Sequence, residues 1–223
     1  MNDMAKDMED AVWKALTHGS PSIISISGLP MMGKSYWLKR VDFSHWESTL
    51  KTWDEVVRTV ACDKGIRDIY CKSPVMFEDL VERLERSRIV CSKSLGGMVV
   101  SDRGIWDVYA YSKDVPIIRK RIELDYAGGL YDDVMCVVLM PEDVGEYIER
   151  LERYTWPWDN RPSDMSEWGL GQLQLWKDAV NDLQDLEVPH IVYKVDGYFT
   201  KERYTFDTVL CDLLTKTGKW IGE

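Results

Sequence analysis

The residues best suited to chemistry form a glycine-rich octet, GLPMMGKS, at residues 28–35. Gly28, Gly33, Lys34 and Ser35 occupy every fixed position of the phosphate-binding pattern GxxxxGK[ST]. In that pattern backbone N–H groups surround a polyphosphate, the lysine reaches its β- and γ-phosphates, and the hydroxyl holds Mg²⁺. The octet therefore predicts a site for ATP or GTP with Mg²⁺, in which Lys34 is catalytic and Ser35 is a metal ligand.

The segments on either side of the octet have the character that such a loop needs. Residues 22–27 are an apolar, β-branched run typical of a buried strand, and residues 36–40 continue without a helix breaker. A strand, a glycine loop and a helix start together aim N–H groups and the positive end of a helix at one spot. We therefore include Tyr36, in the expected helix, among the nucleotide-binding residues. A glycine turn followed by a chance Lys-Ser pair is the alternative.

A second chemical segment follows the predicted buried strand at residues 98–101. Asp102 and Arg103 come directly after it. A carboxylate at the end of such a strand can hold the water shell of Mg²⁺ or orient a nucleophile, and a neighbouring arginine can bind a phosphate with two hydrogen bonds. Asp102 is therefore a candidate catalytic residue and metal ligand, and Arg103 a candidate catalytic residue. A structural ion pair at a turn is the alternative.

The order of these parts resembles the thymidylate kinase and deoxynucleoside kinase group of P-loop kinases. In that group a long helix precedes a buried strand ending in Asp-Arg or Glu-Arg, and an aromatic-alanine-tyrosine segment follows. The corresponding segments here are residues 77–93, 98–101, 102–103 and 109–111, within a resemblance that spans residues 23 to about 195. The resemblance implies that Arg103 contacts the acceptor or its phosphate, and that Asp102 acts near Mg²⁺ or the acceptor oxygen.

The resemblance also implies a lid over the site. In this group a helix after the fourth strand runs into a mobile lid whose arginines reach the transferring phosphoryl group. Arg150, Arg153 and Arg161 fall at the matching place, and residues 154–167, which include WPWDNRP, form the expected lid. Positioned arginines stabilise the charge of phosphoryl transfer, so Arg153 and Arg161 are assigned as catalytic. For Arg150 and Arg153, pairing with glutamates on a solvated helix face is the alternative.

The general base stays open at the level of the sequence. In deoxynucleoside kinases a glutamate at the end of the second strand removes the proton of the sugar hydroxyl, commonly just before a proline. Asp54 and Glu55 stand near that place, after a weak strand signal at residues 48–53, but the proline is absent. Asp102 is the third candidate. Acids also favour helix N-termini without any role in catalysis.

Strand and helix signals alternate along the chain. Further apolar runs of strand length cover residues 134–140 and 190–195. Helical spacing of apolar residues recurs near residues 75–93, 117–126, 144–151, 173–183 and 206–213. This alternation predicts an α/β fold, a parallel sheet covered by helices on both faces, with the ligand site beyond the carboxyl ends of the strands. We expect a single P-loop kinase domain over residues 1–223, with an N-terminal helix in residues 1–20.

Composition narrows the class of protein. The 223 residues are 45% apolar, enough for a full core, and the net charge of −10 argues against a large nucleic-acid footprint. The five cysteines and three histidines show no zinc-ligand spacing, and an odd cysteine count suits a reducing compartment. No signal peptide and no membrane-crossing run is expected, so the predicted location is the cytoplasm. Whether the chain pairs with a second copy of itself as a homodimer stays open at the level of the sequence.

The sequence thus predicts a Mg²⁺-ATP-dependent kinase that acts on a nucleoside monophosphate, because Asp-Arg followed by Tyr-Ala-Tyr looks closer to thymidylate kinase. A deoxynucleoside acceptor is the close alternative. Some viral P-loop kinases related to this group phosphorylate hydroxymethylated bases within DNA, a partner that the acidic charge disfavours. Outside these enzymes, the alternative is a nucleotide-binding regulatory switch, in which hydrolysis changes conformation.

Overall fold

The sheet at the centre of the fold contains five parallel strands in the order β2-β3-β1-β4-β5. The computed structural model describes residues 23–38, 51–53, 69, 72–95, 99–154 and 162–195. The strands are β1 (Ile23–Gly28), β2 (Lys51–Trp53), β3 (Val99–Asp102), β4 (Val134–Pro141) and β5 (His190–Val195). The helices are α1 (Lys34–Leu38), α2 (Pro74–Leu95), α3 (Ile105–Tyr111), α4 (Pro116–Ala127), α5 (Val144–Arg153) and α6 (Met165–Asp185).

The three inner strands explain the apolar runs of the sequence. Every residue of β1, β3 and β4 is buried, as expected for parallel strands covered on both faces. β1 lies between β3 and β4, with Ile26 opposite Asp102 and Gly28 opposite Leu139. The carboxyl end of β1 therefore lies between the ends of both neighbours. In such sheets this crevice, where the strand order reverses, is where ligands bind.

Aromatic contacts fix α3 within the core. Trp106 is fully buried, and its ring makes edge contacts with the rings of Tyr109, Tyr126 and Tyr131 at centroid distances of 5.5–6.1 Å. Edge-to-face pairs of this kind add stability beyond the area that they bury. They tie α3 to α4 and to the segment before β4, so the turn between β3 and α3 has a fixed position relative to the sheet.

The fold class predicted from the sequence is confirmed, and two elements differ in detail. Residues 105–111 form helix α3, whereas the sequence indicated only a spacer and an aromatic segment. Helix α6 begins at Met165, so the last three residues of the range predicted for the lid form its first turn. The predicted helices at residues 1–20 and 206–213 lie outside the described residues, as do Asp54, Glu55 and Arg161.

Candidate functional site

The glycine loop begins where β1 comes closest to β4. Gly28 has φ 107°, and a Cβ atom there would lie 2.3 Å from the backbone oxygen of Leu139. Only glycine fits this position, because it lacks the Cβ and tolerates positive φ. The N–H of Leu29 donates to the same oxygen at 3.3 Å, and Gly33, with φ 78°, completes the loop before α1. The sheet therefore fixes the loop at its first residue.

The side chain of Lys34 lies over the loop. Lys34 is the first residue of α1, and its Nζ donates to the backbone oxygens of Gly28 at 2.9 Å and Leu29 at 2.6 Å. The residue is only 6% exposed, so its charge is held within the curve of the loop. Ser35 and the backbone of Tyr36 follow in the same helix. The predicted phosphate-binding residues thus form one continuous structure.

Asp102 and Arg103 lie at the end of the neighbouring strand. Asp102 is the last residue of β3, is 1% exposed and lies opposite Ile26 of β1. Arg103 follows with φ 65°, a left-handed conformation uncommon for a residue with a side chain, and its N–H donates to Ile26 O at 3.0 Å. The turn between β3 and α3 is therefore hydrogen-bonded to β1, next to the strand that leads into the loop.

Contacts from α3 hold the guanidinium of Arg103. Its Nη1 donates to the hydroxyl of Tyr111 at 3.2 Å and to Oδ1 of Asp107 at 3.4 Å, and the guanidinium carbon lies 5.4 Å from the centre of the Tyr111 ring. Trp176 of α6 contacts that ring edge-on at 6.1 Å. Arginine planes and aromatic rings attract each other in this arrangement. The acceptor arginine predicted from sequence is thus oriented by α3, with α6 behind it.

Asp107 is a residue of this site that the sequence reasoning did not select. It is 3% exposed, and its Oδ2 accepts hydrogen bonds from the Ser27 hydroxyl at 2.5 Å and the Gly104 N–H at 3.0 Å. Burial raises the pKa of the Asp107 carboxyl, whereas the charges of Arg103 and Lys34 oppose that rise. One signal was available: Asp107 is the single acid in an otherwise apolar and aromatic helix.

Glu78 is a second carboxyl that the sequence reasoning did not select. It lies half-buried on α2, where burial raises its pKa to about 7 and the positive charge of Arg103 opposes the rise. It shares a helix face with Glu82, four residues on, which is buried and bonded to Arg121 at 2.6 Å. The repeated spacing of acids along α2 was the available signal. Glu78 gives the site a carboxyl that changes protonation near neutral pH.

The predicted lid arginines on α5 contact glutamates one turn earlier. Nη2 of Arg150 lies 2.7 Å from Glu146, and Nη2 of Arg153 lies 3.3 Å from Glu149. The side chain of Arg153 is 68% exposed, and pairs of this kind contribute only about 0–1 kcal/mol. Breaking the pair with Glu149 therefore requires little free energy, and the contact is compatible with a role of Arg153 in catalysis. That role stays a prediction.

Ser35 and Asp102 are the residues suited to hold Mg²⁺. They follow the carboxyl ends of adjacent strands, one in α1 and the other at the end of β3. Within the described ranges, no three His, Cys, Asp or Glu side chains form a cluster that could hold a metal ion. Mg²⁺ at nucleotide sites takes one or two protein oxygens, together with phosphates and water. The chemistry of these two residues suits that mode of binding.

A solved structure of thymidylate kinase from Candida albicans is similar to this chain. The TM-score is 0.51 at 14% identity, over 90% of this chain and 93% of that chain. The similarity shows the P-loop kinase fold, and the resemblance stated from the motifs is confirmed at that level. No family model and no curated protein matches the sequence. In the part of the chain that the structure describes, no helix is both long and apolar enough to span a membrane.

Proposed function

We propose that this chain is a Mg²⁺-ATP-dependent kinase that transfers the γ-phosphoryl group to a nucleoside monophosphate. The observation that carries the proposal is the position of the two predicted motifs in the fold. The glycine loop with Lys34 follows β1. Asp102 ends the adjacent strand β3, and Arg103 follows it, with its N–H bonded to Ile26 O at 3.0 Å. A triphosphate on the loop and an acceptor at Arg103 would then share one crevice.

The loop provides the donor half of the reaction. The backbone N–H groups of residues 31–36 would surround the β- and γ-phosphates, and Lys34 would turn from the loop carbonyls to the phosphate oxygens. Ser35 and Asp102 would hold Mg²⁺, which neutralises charge on those oxygens when it is bound. Backbone donors fixed in advance are effective here, because they need no rearrangement as charge develops.

Arg103 and the lid provide the acceptor half. A guanidinium can bind the acceptor phosphate with two parallel hydrogen bonds, and Tyr111 and Asp107 hold Arg103 in one orientation. Arg153 and Arg161 would approach the transferring group from the lid and exclude water, which otherwise competes as acceptor. Asp54 and Glu55 remain candidates for a base if the acceptor is a hydroxyl.

The structural neighbour supports this choice of acceptor. The similar protein is a thymidylate kinase with broad substrate specificity. At 14% identity this likeness supports the fold and leaves the acceptor of this chain to experiment.

Glu78 favours a second candidate, a deoxynucleoside acceptor. A general base works best with a pKa near the operating pH, and the pKa of Glu78, about 7 beside Arg103, meets that condition. A hydroxyl acceptor must lose a proton in the reaction, whereas a monophosphate dianion offers an oxygen that is already charged. If Glu78 is that base, it acts in the ionised form, so kcat/KM rises with pH through about 7 and Glu78→Gln removes the rise.

The test is an acceptor screen at saturating ATP and Mg²⁺. Nucleoside monophosphates, deoxynucleosides and duplex DNA containing hydroxymethylated bases are compared, with Glu78→Gln beside the wild type. The proposal predicts the highest kcat/KM with a nucleoside monophosphate and a small effect of Glu78→Gln. Highest activity with a nucleoside, lost in Glu78→Gln, establishes the second candidate. ATP hydrolysis that ignores every acceptor contradicts both and favours the regulatory switch.

A further inference from the structure

We propose that Asp107 is a positioning residue that joins the first residues of the phosphate loop to the acceptor arginine. The inference rests on the proposed function, because it concerns how the two halves of that site are held together. Asp107 lies on α3, four residues after Arg103, and its two carboxylate oxygens have different partners.

One oxygen of Asp107 is bonded to the strand that leads into the loop. Ser27 precedes Gly28 on β1 and is fully buried, and its hydroxyl donates to Oδ2 at 2.5 Å. The N–H of Gly104, at the start of α3, donates to the same oxygen at 3.0 Å. Gly104 belongs to the start of α3 itself, so a shift of α3 relative to β1 must break or bend the bond from Ser27. Oδ2 thus fixes the distance between the helix and the beginning of the loop.

The other oxygen faces the acceptor side. Nη1 of Arg103 donates to Oδ1 at 3.4 Å and to the Tyr111 hydroxyl at 3.2 Å. A guanidinium carries five N–H donors, so the same side chain has the capacity to donate to a phosphate as well. An arginine that is oriented before the acceptor binds loses less side-chain freedom on binding. Asp107 therefore sets both the direction of Arg103 and its distance from the loop.

A helix cap is the ordinary explanation for Asp107, which as the third residue of α3 accepts from the N–H of the preceding Gly104. Asp143, the residue that precedes α5, offers a comparison. Asp143 caps α5 by accepting from the N–H of Glu146 at 3.0 Å, the same length as the bond from Gly104 to Asp107. Asp143 is exposed, whereas Asp107 is almost fully buried. Capping alone does not require burial, and burying a carboxylate is costly unless several donors compensate. The additional contacts of Asp107 to Ser27 and Arg103 are what its buried position provides.

The charges around Asp107 come from both halves of the site. Arg103 and Lys34 of α1 attract its negative charge. Burial and, to a lesser extent, the charge of Asp107 raise the pKa of the Cys136 thiol on β4. The positive charge of Arg103 also acts on Glu78 of α2. The ionised carboxylate holds Arg103, so protonation of Asp107 as the pH falls removes that hold. Asparagine at this position reproduces the uncharged state at every pH.

The first experiment compares Asp107→Asn with Asp143→Asn, a cap without links to the site. For Asp107→Asn we expect kcat/KM for the acceptor to fall by about tenfold or more, as for the loss of one charge-assisted contact. The KM for ATP should stay within about twofold in both variants, because no loop residue is changed. As the pH is lowered, kcat/KM for the acceptor should decrease less in Asp107→Asn than in the wild type. The acceptor's own phosphate titrates in the same way with both proteins, so its effect cancels when the two pH profiles are compared.

Ser27→Ala tests the link to the loop if Asp107→Asn does not fold. It removes one hydroxyl and leaves the contacts of Asp107 with Gly104 and Arg103 in place, and we expect a fall of about threefold to tenfold in acceptor kcat/KM. The role of Asp107 is overturned if Asp107→Asn and Ser27→Ala lose no more acceptor kcat/KM than Asp143→Asn does. It is also overturned if the kinetic constants for ATP and for the acceptor change equally.

Calorimetric binding of a nucleoside monophosphate to the wild type separates this failure from that of the proposed function. A wild type that binds and phosphorylates the acceptor, beside variants indistinguishable from Asp143→Asn, refutes the inference alone. A wild type that neither binds nor phosphorylates any acceptor refutes the proposed function, and the inference with it.

Discussion

The two sides of the candidate site are built in different ways. The phosphate side is one stretch of chain, from Gly28 to Ser35, whose geometry depends on backbone turns and one close approach to β4. The acceptor side brings Arg103, Asp107 and Glu78 together from the β3–α3 turn, α3 and α2. Its geometry depends on side-chain contacts, and its charge depends on burial.

This difference determines what a substitution should do on each side. Backbone N–H groups keep their hydrogen-bonding character at any pH, and glycines fix their positions. The phosphate side should therefore be sensitive to side-chain volume added at the glycines and to the loss of Lys34. Buried carboxyls change protonation with their surroundings, so the acceptor side should respond to charge and pH. The predictions below use that contrast, in order of decreasing effect.

Lys34→Ala should have the largest effect, at the phosphate side. We expect a loss on the order of 10² to 10³ in kcat, comparable to removal of one preorganised charge donor. The Nζ donates to the loop carbonyls of Gly28 and Leu29 and lies outside the hydrophobic core, so the fold should remain intact. Steady-state kinetics and circular dichroism measure both. Lys113→Ala, which removes an exposed lysine bonded to Asp178, is the control and should leave kcat unchanged. Near-normal turnover in a folded Lys34→Ala variant contradicts the phosphate-loop assignment.

Arg103→Ala should weaken the acceptor more than ATP. A two-bond contact to a phosphate contributes about 1.5–3 kcal/mol, so acceptor kcat/KM should fall by roughly 10- to 150-fold. An uncharged nucleoside should lose less. Titration of both substrates measures the split, with Arg86→Ala, an exposed arginine paired with Asp125, as the control. If only the affinity for ATP falls, Arg103 belongs to the phosphate side, and the division of the site into a phosphate side and an acceptor side is wrong.

Gly28→Ala tests whether the sheet shapes the loop. Its Cβ would lie 2.3 Å from the oxygen of Leu139, at a φ that side chains rarely adopt, so we expect about 1–3 kcal/mol of destabilisation. Gly171→Ala on α6 is the matched control, because its Cβ meets nothing within 4 Å and alanine favours a helix. In denaturant unfolding, Gly28→Ala should lower the free energy of unfolding and Gly171→Ala should raise it. Equal stability in both would mean that the loop adapts and is not fixed by β4.

Arg153→Gln should have the smallest effect. We expect kcat to fall by about tenfold through loss of charge at the transferring group, with unfolding free energy changed by less than about 1 kcal/mol. Glu149→Gln removes the partner of Arg153 and should change neither quantity measurably. If the two variants behave alike in kinetics, the arginine serves only the helix surface.

Much of the fold could be predicted because its signals are local. The apolar runs of β1, β3 and β4 reflect strands buried on both faces, and the glycine octet marks the turn after β1. Helix α3 was missed for a physical reason. Six of its seven residues are buried, so it lacks the polar face that produces a helical period.

The acceptor side could be predicted only in part. Arg103 was found because it follows a strand next to an acid, in an order typical of a known group. Asp107 and Glu78 were missed because a carboxyl on a helix usually faces water. The roles that we propose for them rest on the contact of Asp107 with Ser27, eighty positions earlier, and on the burial of Glu78 within reach of the Arg103 charge. Contacts of that kind depend on the packed structure and leave no pattern of neighbouring residues.

Phosphorus NMR of a single reaction tests the central claim most directly. The wild type is mixed with ATP, Mg²⁺ and the best acceptor of the screen, and the fate of the γ-phosphorus is followed. We expect its signal to move to the phosphoanhydride of a nucleoside diphosphate derived from the acceptor, with little inorganic phosphate. Lys34→Ala and Arg103→Ala should both slow the transfer. A signal that moves only to inorganic phosphate, at a rate independent of the acceptor, contradicts the claim.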